Sequence, residues 1–145
     1  MKNMFFIILL FIAGNTIAQD EKQQVADAVQ DYVDAFYFGD TTKILRSISP
    51  EVVKYGYYRK KDATAYNGEP MSFREMLDYA TSVKKRNNPN ADKLPKKVEV
   101  LDFQDQTASA KLTAWWGTDY ILLAKQNGKW MITHVLWQSP PVASK

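Results

Sequence analysis

Residues 107–137, TASAKLTAWWGTDYILLAKQNGKWMITHVLW, decide the fold. Ala108, Ala110, Leu112 and Ala114 alternate with Ser109, Lys111 and Thr113, the period of two that belongs to a strand. Asn127-Gly128 stands between two such runs and is a strong short hairpin signal. Gly117-Thr118 makes a second short join, and Gln104-Asp105-Gln106 links the stretch to an earlier alternating run. The spacing predicts four strands, over 98–103, 107–116, 119–125 and 129–137. Joins this short force antiparallel neighbours, so the four form a meander.

Working outward, the period upstream is helical. Val25, Ala28, Val29, Tyr32, Val33, Phe36 and Tyr37 fall on one face of a 3.6-residue helix. Gly39 is a natural stop, and Asp40 can cap a short second helix whose inward residues are Ile44, Leu45 and Ile48, ended by Ser49-Pro50. A strand is expected over 52–58, a turn at Arg59-Lys60-Lys61-Asp62, and a short return strand over 63–66. Ser72 and Glu75 have capping-box spacing and open a third helix with Phe73, Met76, Leu77, Ala80 and Val83 inward. Its last turn carries Lys84, Lys85 and Arg86, where the helix dipole favours cations. Three helices on one face of a curved antiparallel sheet give an α+β domain enclosing a conical space, a natural pocket.

The N-terminus reads differently. Lys2, an uncharged run from Phe5 to Ala13, and Thr16-Ile17-Ala18 form the pattern of a cleavable signal peptide over residues 1–18. The apolar run is short of the roughly 20 residues an anchor needs. The expected product is an exported protein, periplasmic or secreted, with one domain over 19–137 and a loose tail over 138–145. A net charge of +3 is too small to suggest nucleic acid as a partner. Zero cysteines exclude disulfides, a zinc-thiolate site and a thiol nucleophile, and a single histidine excludes a multi-histidine metal centre. No metal and no cofactor are implied.

Two stretches carry a resemblance: Val29-Gln30-Asp31-Tyr32-Val33-Asp34-Ala35-Phe36-Tyr37-Phe38-Gly39-Asp40 and Gly128-Lys129-Trp130-Met131-Ile132-Thr133-His134. With Ser49-Pro50-Glu51-Val52-Val53, they make the chain resemble the nuclear transport factor 2-like superfamily over roughly 21–137. It is most similar to the exported bacterial branch labelled lumazine-binding. The resemblance implies the cone-shaped α+β fold and frequent dimerisation through the sheet. It does not fix activity, because the superfamily holds isomerases, dehydratases and cyclases beside binding domains. In the ketosteroid isomerases, a first-helix tyrosine is matched here by Tyr32. Their general-base aspartate falls on the stretch Lys54-Tyr55-Gly56-Tyr57, which contains no carboxylate, so their mechanism does not carry over.

The expected ligand-pocket residues are Tyr32, Tyr57, Trp116, Trp130 and His134. His134 shares a face with Trp130 and Ile132 by simple alternation, and the resemblance implies that this face meets the helices, which would point His134 into the cone as an orienting or acid–base group. Trp116 closes the row of small alanines, as the wall of an apolar cavity or beside a closely packed helix. Asp119 could reach the pocket mouth or serve only its hairpin turn. Trp115, Met131, Val135 and Trp137 are expected on the outer sheet face as a homodimer surface. No catalytic residue is assigned. The favoured function is non-catalytic binding of a small apolar or aromatic molecule. The alternatives are a hydratase, isomerase or cyclase using the His and Tyr, and a dimeric interaction module whose cone is filled by its own side chains.

Overall fold

The computed structural model describes residues 4–61 and 63–141. The first three residues of the expected signal peptide, Asp62 of the expected turn and residues 142–145 of the expected tail lie outside the described residues.

The first helix, α1 (Met4–Phe38), buries Val25, Val29, Tyr32, Val33 and Phe36 on its inward stripe. Each such side chain contributes about 1.5–3 kcal/mol of burial. Asp40 caps α2 (Thr41–Ser47), its carboxylate accepting from the Thr42 amide. Ile44 and Ile48 are buried, but Leu45, expected inward, is 61% exposed. One residue beyond Ile44 on a helix is turned away by about 100°, and α2 is too short to bury two faces. The strand β1 (Ile48–Tyr58) begins before Ser49-Pro50, so that pair does not end the helix.

Antiparallel to β1 runs β2 (Asn67–Pro70), with Tyr55 opposite Pro70 and Tyr58 opposite Asn67. The return strand expected over 63–66 is therefore displaced to 67–70. Residues 59–61 and 63–66 lie outside the strands instead, and the Arg59 guanidinium donates to the Ala63 carbonyl. Ser72 and Glu75 complete a capping box at the start of α3 (Phe73–Arg86), which ends at Asn87 in the left-handed region. The meander follows as β3 (Lys96–Phe103), β4 (Thr107–Ala114), β5 (Gly117–Gln126) and β6 (Lys129–Gln138). Asn127 and Gly128 both take positive φ in the β5–β6 turn, as the tightest hairpins require.

The strands lie in the order β2-β1-β6-β5-β4-β3, one six-stranded curved sheet under three helices. The meander is antiparallel throughout, but β1 runs parallel to β6, so the sheet is mixed. Such a pairing needs a long crossover, and α3 with three meander strands supplies it.

Two local departures reposition side chains. Trp115 and Trp116 lie in the β4–β5 turn rather than on the strand. In the β5–β6 ladder, Leu122 pairs with His134 and Leu123 with Ile132, leaving Thr133 as an extra residue. A bulge of one residue reverses the alternation beyond it. Trp130 and Ile132 face the core before the bulge, and Val135 faces it after.

Candidate functional site

Between β1, α3 and the ends of β4 and β6 lies a cavity of about 510 Å³. Phe36, Met71, Tyr79, Trp115, Trp116 and Trp137 make its largely aromatic wall, and Lys54 is the cation in its lining. The alanine row of β4 does not line it. Ala108, Ala110 and Ala114 pack in the core, where α1 lies across β3, β4 and β6. Small side chains there let the helix approach, which leaves the open space at the β1 end of the cone.

Lys54 enters the cavity because β1 alternates. Val53, Tyr55 and Tyr57 point to the outer face, while Lys54 and Gly56 point inward. Gly56 matters for close approach. A Cβ there would fall 1.8 Å from Trp137 Nε1, so only a glycine lets the Trp137 indole lie against the strand.

The Lys54 ammonium donates to the Tyr32 hydroxyl at 2.7 Å and lies 4.5 Å from the Phe36 ring centre and 5.0 Å from that of Tyr32. An ammonium carries three donors, and that hydrogen bond uses one. Burial pushes the Lys54 amine down to about 8, with the nearby charge of Asp119 opposing the drop. Tyr32 is fully buried. Desolvation first, and the Asp119 charge second, hold its hydroxyl protonated well above the ordinary range.

Asp119, on β5, is also fully buried. Its Oδ1 accepts from the Trp116 indole at 3.0 Å, while Oδ2 has no hydrogen-bond partner among the described residues. Burial raises its carboxyl above the usual range, against the lowering effects of the Lys54 charge and the bonds from Trp116 and Tyr32. Lys54, Tyr32, Asp119 and Trp116 thus form a buried polar cluster at the inner side of an apolar cavity. The cluster can bind an acceptor or anionic group through Lys54, and it holds protonated and unprotonated groups side by side.

Of the residues expected in the pocket, Trp116 lines this cavity, and Tyr32 is fully buried behind it, touching the lining through Lys54. Tyr57 does neither: it is exposed on the outer face, 5.4 Å from the Tyr55 ring. Trp130 is buried elsewhere, its indole donating to Glu21 at 2.9 Å beside the Lys125–Glu21 ion pair. His134 is exposed on the outer face, because the Thr133 bulge reverses the alternation that would have turned it inward. An acid–base pair of His134 with Tyr32 is therefore not available. The same bulge corrects the expected dimer face. Val135 is buried and Trp137 lines the cavity, while Met131, before the bulge, stays partly exposed; Trp115 owes its place at the cavity edge, half exposed, to the β4–β5 turn. Apolar exposure on the outer face comes instead from Val53, Tyr55, Tyr120, Leu122 and Leu136.

The family model described as "Putative lumazine-binding" matches residues 20–138. The chain belongs to this family. Its fold is that of the nuclear transport factor 2-like superfamily. A nuclear transport factor 2-like protein of unknown function from Shewanella baltica is 18% identical, with a TM-score of 0.59 over 85% of this chain and 96% of that one. Another of unknown function, from Methylobacillus flagellatus, is 21% identical, with a TM-score of 0.61 over 83% and 93%. The association domain of C. elegans CaMKII is 13% identical, with a TM-score of 0.55 over 81% and 95%. No curated protein sequence matches the chain.

Proposed function

We propose that this protein is an exported, non-catalytic domain that holds a small, partly aromatic molecule in its cone and works as a homodimer. The observation that carries the binding reading is the cavity of about 510 Å³ with an aromatic wall and a single buried cation. Its size lies in the range of small-molecule sites, roughly 300–1,000 Å³, and such sites are mostly apolar with a few placed polar groups. Aromatic walls from Phe36, Tyr79, Trp116 and Trp137 suit a planar ligand. Lys54, with two donors left, suits a ligand with a carbonyl, carboxylate or ring-nitrogen acceptor. A pteridine such as lumazine meets both conditions.

Export is supported by the charged and then apolar N-terminus. Dimerisation is supported by the outer sheet face, where Tyr120, Leu122 and Leu136 are each at least half exposed beside Val53 and Tyr55. An apolar patch of this kind on a sheet marks a partner surface. Native mass spectrometry of protein purified from its own host tests the binding. A bound species of one discrete mass is expected, and bare protein that also fails to take up lumazine or other planar acceptors would overturn it.

A further inference from the structure

Resting on the ligand-pocket reading, we propose that Lys54 is a covalent capture point: its amine condenses reversibly with the carbonyl carbon of an aldehyde- or ketone-bearing ligand seated in the cavity.

The geometry is that of a reactive amine rather than a structural one. Lys54 is buried, lines the cavity, and makes its hydrogen bond to a phenol rather than to a carboxylate. Phe36 at 4.5 Å and the Tyr32 ring leave the amine poorly hydrated. A lysine desolvated in an apolar pocket is a better nucleophile because more of it is free base at neutral pH. With its midpoint at about 8, roughly one Lys54 in ten is unprotonated at pH 7, against about one in a few thousand for an ordinary lysine.

Condensation also needs a proton at the carbonyl oxygen. Tyr32 stays protonated and stands 2.7 Å from the amine, with Asp119 beside it. The amine lone pair forms the C–N bond while the carbonyl π pair moves to oxygen, which takes a proton from the Tyr32 hydroxyl. The ammonium formed on nitrogen returns a proton to Tyr32. A second N–H proton then follows the oxygen as it leaves as water, and the C=N bond forms. No oxidant or reductant is required. Release is the reverse hydrolysis: one water adds to the C=N carbon, the carbonyl compound leaves, and Lys54 returns to the free amine.

The test uses 2-naphthaldehyde as the probe, with cyanoborohydride to fix any imine at pH 7, followed by intact-mass and peptide mapping. The expected product is one adduct per chain, with the mass of the aldehyde less a water plus two hydrogens, on Lys54. It should form at least tenfold faster than on any surface lysine and be suppressed by 2-naphthylmethanol, which fills the cavity without condensing. Lys54→Arg, which keeps the charge, and Lys54→Met should both lose the adduct while keeping the far-UV circular dichroism of the wild type. Adducts spread over surface lysines, or undiminished in Lys54→Arg, with 2-naphthylmethanol binding intact would overturn the capture and leave the pocket reading standing. Failure of the alcohol to bind the wild-type protein would overturn both.

Discussion

The amine of Lys54 lies 2.7 Å from the hydroxyl of Tyr32, and both groups are buried where β1 faces α1. Neither makes sense alone. The phenol gives the ammonium an acceptor inside an apolar wall, and the phenol in turn stands against the Asp119 carboxylate. Replacing Tyr32 by Phe keeps the ring contact with Phe36 at 4.9 Å and removes only that oxygen. Leaving a buried donor unpaired costs about 1–3 kcal/mol, more for a charged one. The urea midpoint should fall accordingly with an unchanged slope. A fall under about 0.5 kcal/mol would show that the bond contributes little in solution.

The Lys54 amine also sets a pH dependence. Its folded midpoint, about 8, lies below the ordinary 10.5. Between those values the unfolded chain binds more protons than the folded one, so stability from this group rises with pH. The cost of burying the charge is present in full below pH 8. Urea unfolding of the wild type against Lys54→Met at pH 7 and pH 10 should show the wild type gaining roughly 2–3 kcal/mol relative to the variant. A difference that stays flat would place the amine's midpoint near its ordinary value.

Gly56 is a steric prediction. A methyl there would occupy the position of the Trp137 indole, so Gly56→Ala must displace the ring. Tryptophan emission should shift, and affinity for a planar probe such as 2-naphthoate should drop by about tenfold, or 1.4 kcal/mol. Unchanged emission and affinity would mean that Trp137 does not form the wall.

On the outer face, Leu122→Asp should convert a dimer to a monomer in sedimentation without unfolding the chain, because Leu122 is half exposed in the protomer. His134→Gln, on the same face, should leave ligand affinity within about twofold, well under the 1.4 kcal/mol of a tenfold change. A large loss of ligand affinity in His134→Gln would return the histidine to the pocket.

Much of this was legible in the residues. The inward stripe of α1, the Ser72–Glu75 capping box and the Asn127-Gly128 hairpin are local signals, set by helix period, cap chemistry and turn geometry. What escaped was parity. Simple alternation from Trp130 carries His134 inward, and the unpaired Thr133, for which the sequence has no turn residue or glycine, turns it outward and Val135 inward. Lys54 escaped for a related reason. A lysine among tyrosines has the pattern of a solvent-facing residue, and nothing in the stretch Lys54-Tyr55-Gly56-Tyr57 pairs it with an opposite charge. The signal was in Gly56. A glycine two residues on, on the same face as Lys54, marks where another group comes close to the strand.

Calorimetric titration of 2-naphthoate into the wild-type protein and into Met71→Trp, which puts a larger ring into the cavity wall, tests the central claim most directly. The account predicts one saturable site per chain at pH 7, weakened at pH 10 where Lys54 has lost its charge and abolished in Met71→Trp. Absence of saturable binding, or binding indifferent to Met71→Trp, would contradict it.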